Sequence, residues 1–215
     1  GVPIMFSEFA KVSSATWGVI VALLLVGIVV FAVSKDKKRW TARMLANGAL
    51  CIALSTVLSF ITLYKMPQGG SITLASMLPM FLFAYAYGVG PGMLVGAAYG
   101  FVQFLQGGLY FVHPVELLLD YPLAFAMLGL AGLSNKFSDQ WGMIPGIILG
   151  TFGRFVCAFL SGLIFFGMYA PEGQNVVIYS MVYNGLYLVP EAIICILLAM
   201  IPQIRQLAKR LALQD

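Results

Sequence analysis

The apolar positions of this chain do not alternate with polar ones. They run on for about 20 residues at a time, the length a helix needs to cross a bilayer, and short Gly-, Pro- or charge-bearing segments separate the runs. Seven spans are predicted, at residues 17–34, 42–64, 72–87, 92–105, 115–133, 143–169 and 176–201, the third of them short. A membrane barrel would show ten-residue segments of alternating polarity, which are absent. The pattern therefore predicts an all-α polytopic membrane protein.

Composition agrees: 61% of the residues are hydrophobic and 9% are charged. A water-facing domain needs far more charge to cover its surface. The net charge of +4 does not signal nucleic acid, because the basic residues flank apolar spans and read as topology signals. Lys35, Lys37, Lys38, Arg39 and Arg43 follow the first span, Lys136 the fifth, and Arg205, Lys209 and Arg210 the seventh. In a seven-span chain these fall on one side, opposite Lys11 and Lys65. The positive-inside bias predicts an N-terminus outside and a C-terminus in the cytoplasm. The strongest positive charge comes after the first apolar stretch and no good cleavage site is evident, so a retained N-terminal helix is expected. Three parts result: an extra N-terminal helix with a basic cytoplasmic linker (1–40), a six-helix membrane domain (41–205) and a cytoplasmic tail (206–215).

The candidate chemistry is sparse. Cys51, Cys157 and Cys195 lie in apolar runs without metal-ligand spacing and read as small buried hydrophobes. His113 is the single histidine, and no Ser/His/Asp set or zinc motif can be assembled. Gly88–Gly92 lacks the Lys-Ser/Thr of a phosphate loop, and no Walker A sequence occurs. Neither an enzyme nor a bound cofactor is expected.

Asp120 is the exception. It sits in VELLLDYPLAFAMLGLAG (115–132), and a carboxylate inside a membrane helix costs on the order of 3 kcal/mol, so it needs a partner. Its predicted depth is about 9 Å below the outer end of its helix, at 1.5 Å per residue. Tyr121, Tyr179 and Asn184 share that outer third with Phe166 and Tyr169, and Tyr110 and His113 precede Asp120 in an outer loop. One carboxylate, one amide and several rings suit a flat, partly cationic ligand. Arg154 and Glu191 are predicted at equal depth on neighbouring helices, as a buried structural ion pair. Small residues recur at helical spacing at Ala42, Ala46, Ala49 and Ala53, facing a neighbouring helix or a partner protein, and at Gly92, Gly96 and Gly100, where packing within the chain is expected.

Four ordered motifs, GGSITLASMLPMF (69–81), LLLDYPLAFAMLGLAGL (117–133), GRFVCAFLSGLIFFGMYAPEG (153–173) and YSMVYNGLYLVPE (179–191), resemble the thiamine-specific substrate-binding (S) component of energy-coupling factor (ECF) vitamin transporters. The resemblance runs from residue 42 to about 205. It implies a six-helix S-component bundle, with one extra N-terminal transmembrane helix here, that captures thiamine or a close relative from outside. A separate transmembrane coupling (T) subunit and two ATPase subunits would energise uptake. The implied ligand-binding residues are Asp120, Tyr121, Tyr110, Tyr179 and Asn184, and the implied docking alanines for the coupling subunit are Ala49 and Ala53. Three positions depart from the family pattern: Gly70 stands in place of a loop aromatic, Phe166 in place of a Trp found in some members, and Ala158 in place of a histidine. Two alternatives follow: an S component for a different vitamin or a thiamine precursor, or a stand-alone secondary carrier or sensor.

Overall fold

The computed structural model describes residues 40–109, 111, 113–136 and 142–213. The span expected at 17–34, and with it the proposed first part of the chain, lies outside these residues. Helix α1 (Ala42–Phe60) starts at Thr41, whose hydroxyl accepts a bond from the Met44 amide at 3.2 Å. A two-stranded antiparallel hairpin follows, β1 (Thr62–Lys65) and β2 (Ser71–Thr73). Then come α2 (Leu78–Tyr87), α3 (Val89–Gln106), a broken helix α4 (Pro114–Asn135), α5 (Ile144–Phe165), α6 (Val176–Ala199) and α7 (Pro202–Leu213).

α1, α4, α5 and α6 are long and apolar enough to cross a membrane, and α2 is a shorter apolar helix. Leu45, Leu50, Leu54, Val57 and Phe60 of α1, and Ile178, Met181, Val182, Leu186 and Val189 of α6, are exposed. A surface this apolar belongs in lipid rather than water. The fold is the predicted α-helical membrane architecture, with one small hairpin added.

The sequence-predicted boundaries shift, and the span expected at 42–64 ends as a helix at Phe60, its last residues belonging to β1. The span expected at 72–87 is not one helix: Ser71–Thr73 is strand, and α2 begins only at Leu78, with Pro79 in its first turn. Proline lacks the N–H that a helix start leaves unused, which makes that turn the natural point of entry. The tail is also structured. Residues 202–213 form one amphipathic helix that packs against α2, with Ala208 buried and Ile204 and Leu211 partly buried beside it. The boundary expected at 205 falls inside this helix.

α4 packs against α2, α3 and α5, while α6 lies against α5. The α3 glycines make the first of these contacts close. A Cβ at Gly96 would strike the Phe125 carbonyl oxygen, and one at Gly100 would lie 2.5 Å from that of Tyr121. The glycine stripe therefore packs within the chain, as expected.

Glu191 and Arg154 do not pair. The Glu191 carboxylate, 2% exposed, accepts bonds from the Thr73 amide and hydroxyl, both at 2.6 Å, and from the Ser76 amide and hydroxyl at 3.0 and 3.3 Å. Arg154 instead lies over the Phe125 ring, 4.2 Å from its centroid. The β2–α2 junction presents buried N–H groups that no strand or helix satisfies, and the Glu191 carboxylate is the acceptor they need. The same clamp spans Ala75, whose left-handed backbone (φ 57°) is costly for a residue with a Cβ. Glu191→Ala should lower stability by on the order of 3 kcal/mol, because buried donors lose their acceptor. Thermal unfolding in detergent measures this, and an unchanged midpoint would refute the clamp.

Candidate functional site

A cavity of about 410 Å³ lies under the hairpin tip, between α4, α5 and α6. It owes its shape to a break in α4. Pro122 cannot donate to the carbonyl one turn earlier, and its ring would clash there. The helix takes up the difference in a π-helical turn over Leu119–Leu123, a feature that re-aims side chains. Asp120 and Tyr121 sit in that turn and line the cavity. The Ser161 hydroxyl of α5 donates to Asp120 Oδ2 at 2.8 Å.

Glu116, one α-helical turn before Asp120, is 5% exposed and lines the same wall. Glu116 is also the third helical residue of α4, where its side chain reaches back to the His113 amide. His113 caps the helix in return, its Nδ1 accepting from the Val115 amide at 3.1 Å, and its ring stacks on Phe165 with centroids 5.1 Å apart. This is the structural role expected of a lone loop histidine.

Aromatic rings make the opposite wall. Tyr179, Tyr183 and Tyr187 recur every fourth residue on α6, so they form one stripe, with centroids 6.0 and 6.1 Å apart. Tyr183 also ties down the hairpin: its hydroxyl accepts from the Gln68 and Gly70 amides at 3.0 and 3.4 Å. The tip between them turns through Gly69, at φ +105°. Tyr121 meets Phe104 edge-on at 5.3 Å. Asn184 is largely committed inside the chain. Its Nδ2 donates to the Ala158 and Ser180 carbonyls at 3.2 and 2.9 Å, and its Oδ1 accepts from the Tyr187 hydroxyl at 2.9 Å. One acceptor position remains for anything else.

The family described as thiamine transporter protein (Thia_YuaJ) matches residues 45–211. The chain belongs to the thiamine transporter protein family. It is 36% identical over 160 residues to the thiamine transporter ThiT of Bacillus subtilis (strain 168), covering 68% of this chain and 83% of that protein. It is 32% identical over 123 residues to the thiamine transporter ThiT of Lacticaseibacillus paracasei, covering 51% of this chain and 61% of that protein. A solved structure of ThiT from Listeria monocytogenes superposes with a TM-score of 0.66 at 26% identity, covering 78% of this chain and 93% of the other. The motif resemblance thus led to the right family, the thiamine-specific S components. Its members are transporters, not enzymes, and this one is a multi-pass membrane protein.

Of the residues singled out in this family member from sequence, Asp120, Tyr121, Ala158, Phe166, Tyr179, Asn184 and Gly70 line the cavity together. Tyr169 does not: it is half exposed and stacks behind Phe166, centroids 6.0 Å apart. It belongs to the 3-10 turn Gly167–Tyr169 that follows α5. Tyr110 lies outside the described residues. Ala49 and Ala53 are exposed on α1 and do not line the cavity. Glu116, Arg154, Ser161, Tyr183 and Tyr187 line it without having been anticipated there. Tyr183 and Tyr187 were legible as Tyr179 plus four and plus eight, and Glu116 as Asp120 minus four.

Tyr183→Phe removes the acceptor for the hairpin-tip amides. Hydrogen exchange at Gln68 and Gly70 should speed up by about tenfold, the equivalent of one hydrogen bond. Exchange at the wild-type rate would show that the tip is held by something else.

Proposed function

We propose that this chain captures thiamine, or a close relative, from the outer side of the cell membrane for uptake. The observation that carries the proposal is the setting of Asp120. It is held by a serine hydroxyl at the wall of a roomy cavity, and it has no ion pair with an arginine or lysine among the described residues. A carboxylate in that state suits the amino edge and positive charge of an aminopyrimidine–thiazolium ligand. Tyr121, Phe166 and Tyr179 stack on its rings, where a desolvated cation–π contact adds about 2 kcal/mol. Asn184 offers its remaining acceptor position and orients Tyr187. Ala158 and Gly70 set the shape of the wall.

The orientation follows from charge. Arg205, Lys209 and Arg210 follow the C-terminal end of α6, while the cavity residues Tyr179–Tyr187 belong to its N-terminal half. With the basic end cytoplasmic, the cavity opens outward. The chain carries no nucleotide-binding motif, which supports the S-component division of labour: a coupling subunit and two ATPases on separate chains, with the exposed Ala49 and Ala53 as the docking stripe. A stand-alone carrier would transport in vesicles without them.

Asp120→Asn should weaken thiamine binding by about tenfold or more in calorimetric titration of the purified protein, the equivalent of one charged contact. Unchanged affinity would remove the core of the proposal.

One observation favours a thiamine relative as the preferred ligand. Ala158 leaves an apolar wall where the family pattern has an imidazole, and a side chain at Gly70 would lie 2.6 Å from the Tyr187 ring. The pocket therefore takes an aromatic from α6 at a place where the family pattern supplies one from the loop. Ala158→His should raise thiamine affinity if thiamine itself is a compromise ligand, and indifference to the change would count against the relative.

A further inference from the structure

We propose that Glu116 is a second recognition carboxylate, and that it makes the cavity selective for a cation. The inference rests on the thiamine reading and goes beyond it, because the motifs point to Asp120 alone. Three charged side chains line the enclosed part of the cavity: Asp120, Glu116 and Arg154. Lys65 also borders it, but from the exposed strand β1, where solvent screens its charge. Arg154 lines the same cavity from its place over the Phe125 ring. With Asp120 as the sole acid, Arg154 would offset its formal charge and weaken the preference for a cation over its neutral analogue. With both acids ionised beside a bound cation, Glu116 brings the formal sum to minus one, the complement of a monocation. Glu116 is nine-tenths buried, so its field is weakly screened. A cation beside the two carboxylates also relieves the repulsion between them, which ties the charge of the ligand to the stability of the closed site.

The competing explanation is that Glu116 serves only as the helix-capping acid of α4. Glutamine performs the same capping function, so Glu116→Gln removes the charge and leaves the cap. Binding of thiamine and of the neutral hydroxymethyl aminopyrimidine that forms its uncharged half is measured by calorimetry on the full-length protein in detergent. Glu116→Gln should weaken thiamine by about tenfold while the neutral alcohol keeps its affinity. Arg154→Gln should move the ratio of the two affinities the other way, and it carries the test should Glu116→Gln not fold. An unmoved ratio in either folded variant, or an equal loss for both ligands, overturns the inference. Failure of the wild-type chain to bind thiamine at all would instead overturn the proposed function, a result distinct from wild-type binding with an unmoved ratio.

Discussion

A proline in the middle of a lipid-embedded helix is the constraint on which the site depends. Pro122 leaves a carbonyl of α4 without its usual donor, in a solvent that offers no water as a substitute. The chain answers with a π-helical turn, and that turn is affordable only because the glycines of α3 let the two backbones come together. The Tyr121 and Phe125 carbonyls lie where Cβ atoms at Gly100 and Gly96 would stand. The distortion directs Asp120 toward Ser161 and the cavity instead of toward lipid. One backbone irregularity thus explains how a carboxylate is tolerated here and why a hollow lies beside it.

The hairpin is the second consequence of burying polar groups in an apolar frame. Its base is fixed by the Glu191 carboxylate, which gathers the Thr73 and Ser76 donors. Its tip is held more lightly, by the Tyr183 hydroxyl. Both ties come from α6, the helix that also carries the aromatic stripe. Hairpin and aromatic wall are therefore parts of one mechanical unit, because the groups that hold the hairpin share a helix with Tyr179 and Tyr187.

Legibility differed by kind of feature. The apolar helices within the described residues could be read from run length, since the cost of an unpaired backbone in lipid leaves few alternatives to a helix, but the hairpin cut into the ends of two of the predicted spans. Asp120 stood out because a charge in such a run is rare. Glu116 did not, because as the third residue of its helix it looks like an ordinary capping acid, and only the cavity shows its other face. The Arg154–Glu191 pair shows the limit of depth arithmetic. Equal depth was inferred from residue counting, but rotation about the helix axis decides contact, and it turned Glu191 to the hairpin and Arg154 to Phe125.

The chain by itself determined that it lives in a membrane as a helical bundle, that it belongs with the thiamine-specific binding components, and that an acid, an amide and a set of tyrosines gather near one end of the bundle. Run length, charge placement and ordered motifs are properties of a one-dimensional string, so they survive without coordinates. Tertiary structure alone decided which polar groups are already spent on one another: Asn184 on Ala158 and Tyr187, Glu191 on the hairpin, and Tyr183 on its tip. Hydrogen-bond partners far apart in sequence meet through helix rotation and close glycine packing, and neither quantity is written in the local pattern.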